Sequence, residues 1–234
     1  MNTSIEILKR DSLKEGGFAG LKEHRLVKEP TLFGPQENND GSWPGKIDVD
    51  GEALGNFVYL ADARFMPHGK TGMHGHHELD VISVMVNGNI AHEGSLEHGK
   101  DLSTNDVQVQ RAGGEGFKHN EINPDESWNR MLQLWVLPEK SGQAADYKVY
   151  QPTRGEMTRI YGGDDSSDFP SKTQIYVAVL SEGEEVKVNV PFLAYLSRGE
   201  GVVNNVNVED GDLMRGDSFM FTARNDVQLV IVHV

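Results

Sequence analysis

Short apolar runs, each broken by glycine, asparagine, aspartate or proline, recur along the chain at intervals of about ten residues, a spacing typical of antiparallel β proteins. Residues 57–65 (Phe-Val-Tyr-Leu-Ala-Asp-Ala-Arg-Phe) read as a strand. Residues 81–86 (Val-Ile-Ser-Val-Met-Val) are rich in β-branched residues and apolar on both faces, which predicts a central strand. Asn87-Gly88 is a strong hairpin signal, so 89–92 is expected to return as its partner strand. Residues 106–110 alternate, and 130–137 form the next run, ended by Pro138. From 173 onward the pattern predicts strands at 174–180, 185–190, 193–197, 202–206, 218–222 and 227–234. Ile5, Ile7 and Leu8 suit an edge strand, broken by Gly16-Gly17. Residues 34–56 read as a long loop, with Trp43 as a local anchor rather than a lid. No sustained 3.6-residue periodicity occurs, so helix is expected to be sparse and the fold all-β, as barrels or sandwiches.

The second half echoes the strand spacing of the first, which predicts two β-domains of similar design. The expected boundaries are an N-terminal domain over 1–138, a linker or crossover over 139–172, and a C-terminal domain over 173–234.

Composition narrows the functional classes. The chain has 234 residues, 26 of them glycine, and a net charge of −14. Nucleic-acid binding needs a basic footprint, so direct binding is not expected, nor is docking on an anionic membrane. The absence of cysteine excludes disulfides and thiolate metal sites. No segment approaches a membrane span, and residues 1–6 lack the apolar core of a signal peptide. A cytoplasmic protein, monomeric by default, is the expectation.

The candidate chemistry lies in two short stretches. His74 and His76 are two residues apart, as are His119 and Glu121. On a strand, residues i and i+2 share a face, so neighbouring strands would bring three imidazoles and one carboxylate together. Gly88 closes the first strand, and Gly113, Gly114 and Gly116 lead into the second. A nitrogen-rich site with one carboxylate suits a divalent transition metal: iron first, with nickel, manganese, copper, cobalt or zinc also compatible. With Glu121 as sole anionic ligand the site keeps net positive charge, which favours an enolate-like oxygen donor.

These residues resemble the two motifs of the cupin superfamily and, more closely, of the pirins. The resemblance rests on His74-Gly75-His76, Asn87-Gly88, His92-Glu93-Gly94-Ser95, Gly116-Phe117-Lys118-His119-Asn120-Glu121-Ile122-Asn123-Pro124 and Gln133-Leu134-Trp135-Val136-Leu137-Pro138. It covers 55–150 well and the remainder loosely. Gly75 stands where the family pattern has proline and Asn120 where it has serine, and the glycine turn near 113 is one residue longer. The resemblance implies a bicupin of two antiparallel β-barrels (jelly-roll, or double-stranded β-helix, domains). It also implies a quercetin 2,3-dioxygenase-type reaction on a small aromatic or enolic substrate with dioxygen, Glu121 doubling as catalytic base. The alternative it implies is a metal-containing regulatory protein acting through a protein partner.

The other histidines have plainer expectations. His77 should face outward, His68 and His98 should lie solvated in turns, and His92, where the family pattern also has a histidine, should be a core or hairpin histidine, with a donor behind a metal ligand as the alternative. Asp80 sits near a carboxylate position used by many cupins, but the pirin pattern moves that duty to the second motif. Met73, Phe65, Met85, Phe117 and Trp135 are candidate pocket or core residues. Apart from His233 the second half has no histidine, so a second metal site is not expected there.

Overall fold

Burial alternates along short strands such as 185–188, whereas 57–63 and 80–86 are buried throughout. The computed structural model describes residues 4–29, 32, 40–45, 54–95 and 101–234. The chain divides into two units: Leu13–Trp43 with Phe57–Gln151, and Met1–Ser12 with Pro44–Asn56 and Pro152–Val234. The first strand, β1 (Glu6–Lys9), pairs within the second of these units. No helix among the described residues is long and apolar enough to cross a membrane.

The N-terminal unit contains β2 (Gly16–Phe18), β3 (Leu21–Lys28), β4 (Phe57–Phe65), β5 (His74–His76), β6 (Asp80–Asn87), β7 (Asn89–Gly94), β8 (Leu102–Ser103), β9 (Val107–Arg111), β10 (Phe117–Ile122), β11 (Arg130–Val136) and β12 (Asp146–Tyr150). They form a seven-stranded sheet, β12-β9-β6-β11-β4-β3-β2, and a four-stranded sheet, β5-β10-β7-β8. The C-terminal unit adds β13 (Met157–Gly163), β14 (Ser171–Leu180), β15 (Glu185–Val188), β16 (Phe192–Arg198), β17 (Glu200–Val203), β18 (Val206–Glu209), β19 (Asp212–Gly216), β20 (Phe219–Ala223) and β21 (Val227–His233). Its sheets run β1-β19-β16-β21-β14-β13 and β15-β20-β17-β18. Strand for strand the two orders are the same, apart from the extra edge strand β2. This is the jelly-roll arrangement expected of a bicupin, although each unit is a pair of antiparallel sheets rather than a closed barrel.

Two features differ from the sequence reading. Residues 139–172, expected as a linker, carry β12, which pairs with β9, and β13, which pairs with β14. Asn87-Gly88 does not close a hairpin: β6 pairs with β11 and β9, whereas β7 pairs with β10 and β8. The turn instead carries the chain from one sheet to the other. Gly88 has φ 80°, and an added Cβ would lie 2.9 Å from Asn129 Cβ, so glycine is required there on both counts. Gly199 (φ 89°), between β16 and β17, turns the same corner in the other unit.

In the N-terminal large sheet Glu23 and Arg25 of β3 share one face with Ala61 and Ala63 of β4 and with Met131 and Gln133 of β11. The register places Arg25 beside Ala61 and Ala61 beside Gln133, and likewise Glu23 beside Ala63 and Ala63 beside Met131. Even-numbered Asp62 and Asp80 are buried in ion pairs with Arg130 and Arg111. Pairing is what makes such burial tolerable, because an isolated charge there would be strongly destabilising. Trp43 is tied to β3 by backbone hydrogen bonds to Leu26 and Lys28, as expected of an anchor.

Candidate metal centre

The site forms where β10 lies between β5 and β7. In the β5–β10 ladder His74 is opposite His119 and His76 opposite Phe117; in the β10–β7 ladder Glu121 is opposite His92 and His119 opposite Gly94. A Cβ at position 94 would lie 2.5 Å from the Lys118 carbonyl oxygen, so glycine lets β7 approach this close. The strands carrying the two i, i+2 pairs are neighbours, but only His119 stands opposite a member of the other pair, while Glu121 faces β7.

One ring nitrogen from each of His74, His76 and His119 lies within 4.8 Å of the others. His119 Nε2 is 2.9 Å from His74 Nε2 and 3.2 Å from His76 Nε2. Two nitrogens each about 2.1 Å from one ion, at right angles, lie about 3 Å apart, so the spacing fits a shared metal. The far sides of two rings are held. His74 Nδ1 is 2.9 Å from the Gly72 carbonyl oxygen and can only donate there, which leaves its Nε2 lone pair facing the cluster. His92 Nε2 lies 3.2 Å from His119 Nδ1 and orients that ring from behind. Burial, and then the neighbouring His74, lowers the pKa of His76 to about 4. Burial lowers His119 further, with His74, His76 and His92 adding to the effect. Both rings are therefore neutral near pH 7, the form that binds metal.

Glu121 is not a member of the three-imidazole cluster. Its fully buried carboxyl accepts a hydrogen bond from Ser83 Oγ at 3.0 Å. Burial raises its pKa to about 7, opposed by the Ser83 hydrogen bond. Glu121 shares with His74 and His76 the wall of a cavity of about 340 Å³, within the range of small-molecule sites. Ala63 lines it with a small side chain, and Trp135, stacked on Tyr59 with centroids 4.3 Å apart, gives it a flat aromatic side.

The remaining candidates are accounted for. His77 is exposed, with Nε2 3.0 Å from the Gly114 carbonyl oxygen, and exposed His68 pairs with Glu126; His98 lies outside the described residues. Asp80 is committed to Arg111 and is no ligand. Met73 is 57% exposed and not in the core. Phe65 and Trp135 line the cavity, while Phe117 packs its ring 5.3 Å from His76 and Met85 joins the core beside Phe65. His92 is the residue that sequence reasoning undervalued. Its signal was the matching family position, but its contact with His119 depends on the β7–β10 register, which local pattern does not reveal.

Two antiparallel sheets per unit, with three imidazoles converging in the first, give this chain the fold of a bicupin carrying a cluster that could hold a metal ion. Within that class it is pirin-like: the pirin family model matches residues 51–136. A pirin-like protein of Caulobacter vibrioides is 27% identical over 186 residues, covering 73% of this chain and 80% of that one. A quercetin 2,3-dioxygenase of Escherichia coli is 26% identical over 78 residues, 33% of each chain. The bacterial pirin YhhW of Escherichia coli, solved in complex with nickel(II), has the same fold at a TM-score of 0.77 and 15% identity, covering 98% of both chains.

Proposed function

We propose that this protein is a metal-dependent dioxygenase acting on a flavonol or a related enolic or phenolic substrate. The observation that carries the reading is the convergence of His74, His76 and His119 beside a cavity of small-molecule size. The similarity to a quercetin 2,3-dioxygenase supports the substrate class.

His74, His76 and His119 would hold the ion. A redox-active divalent metal supplies Lewis-acid and electron-transfer chemistry that side chains alone lack. The chain's own contribution is orientation and proton handling. The Gly72 carbonyl and His92 fix the ring planes, so the donor atoms are preorganised. Glu121 faces the cavity and is positioned by Ser83; we assign it as the base that takes the proton of a substrate hydroxyl. Leu21, Phe65 and Met131 exclude water from the ring system.

The test is oxygen consumption together with loss of flavonol absorbance, on protein loaded separately with iron, nickel, manganese, cobalt or copper. Turnover with at least one metal is expected. Stoichiometric metal with no turnover for any of them would overturn the enzymatic reading in favour of a metal-containing regulatory protein.

A further inference from the structure

The cavity wall also has polar groups outside the three-imidazole cluster. Gln133, on β11, lines the cavity, and its Nε2 is buried with no hydrogen-bond partner among the described residues. A buried amide donor left without an acceptor is destabilising, so such a group is expected where a ligand supplies the acceptor. Beside it, across Ala61, is Arg25, whose Nε donates to Glu23 Oε1 at 2.8 Å. Tyr59 donates its hydroxyl to Glu23 Oε2 at 3.3 Å. Glu23 is 6% exposed and also lines the cavity. A carboxylate offers about four lone-pair sites, so with these two donors engaged Glu23 can still accept from a ligand hydroxyl.

These groups are arranged for recognition. Ala63, between β3 and β11, lines the cavity with a small side chain, and the Tyr59–Trp135 stack makes one side planar. A flat ring against that stack shares one cavity with His74, His76, Gln133 and Glu23. Resting on the functional reading above, we propose that Gln133 and the Arg25-held Glu23 recognise the hydroxyl-bearing ring of a planar polyphenol in this cavity. Gln133 donates to a ring oxygen and Glu23 accepts from a ring hydroxyl. The predicted ligand class is therefore hydroxylated planar aromatics, in preference to their unsubstituted parents.

The experiment is a fluorescence-quenching titration of the full chain, metal-free and nickel-loaded, with quercetin and with 3-hydroxyflavone, which keeps the enolic end and lacks the other hydroxyls. Wild-type protein is expected to bind quercetin about tenfold more tightly than 3-hydroxyflavone, a preference of hydrogen-bond size. Gln133→Leu, an apolar replacement of similar shape, should weaken quercetin about tenfold and leave 3-hydroxyflavone within about twofold, with nickel content unchanged. Glu23→Gln should act in the same direction; because Glu23 also anchors Arg25 and Tyr59, its melting curve is recorded alongside. Unaltered quercetin affinity in both variants would overturn the proposal while leaving the flavonol reading intact. Failure of the wild type to bind either compound would sink both.

Discussion

Where the N-terminal unit has His119, the C-terminal unit has Phe221. The paired registers align the two small sheets residue by residue: His74 with Val186, His76 with Val188, Phe117 with Phe219, and Glu121 with Ala223. On the neighbouring strand, His92 corresponds to Gly201. A Cβ at Gly201 would lie 2.3 Å from the Phe221 ring, so Phe221 fills space that a larger residue on β17 would need. In the C-terminal unit these positions join a continuous apolar cluster with Leu196, Met214 and Leu229. Burying such a side chain stabilises by roughly 1.5–3 kcal/mol. In the N-terminal unit the same positions hold imidazoles and a buried carboxyl, polar groups that cost free energy to bury unless something binds them. One backbone plan thus carries a stabilising core in one copy and a candidate metal cluster in the other.

The predictions break or sharpen this contrast. The largest effect is expected for His119→Ala, which removes the nitrogen common to both short contacts: metal content by atomic emission should fall from stoichiometric to background. Its counterpart Phe221→Ala should leave metal content alone and cost about 3–5 kcal/mol in stability of the C-terminal unit, measured by urea unfolding. Glu121→Gln should keep the metal and lower flavonol turnover by about 100-fold, the contribution of a positioned base; loss of metal would instead make Glu121 a ligand. The smallest effect is expected for His92→Ala, which should weaken metal affinity by about 10-fold in chelator competition, at the low end for a residue that orients a ligand.

The sequence exposed the parts of this contrast that are local. The i, i+2 spacing of His74 and His76, the pair His119 and Glu121, and the absence of histidine from 174–232 were enough to place the cluster in one half. What depends on distant pairing was not readable. Asn87-Gly88 has the composition of a hairpin, yet its flanking strands enter different sheets, because the partners of β6 and β7 are chosen by strands far along the chain. The assignment of 139–172 as a linker missed β12, a strand with little buried apolar surface, held by its ladder to β9. The recognition wall was equally hidden. Glu23 and Arg25 sit in a stretch that reads as mixed charge, and only the β3–β4–β11 register brings them to the cavity that Gln133 shares.

The most direct test of the three-imidazole site is X-ray absorption spectroscopy of the nickel-loaded protein. The spectrum should show imidazole scattering from three histidines at about 2.0–2.1 Å, lost in part when His74 or His76 is replaced by alanine. A coordination sphere of oxygen alone, unchanged by either replacement, would contradict it.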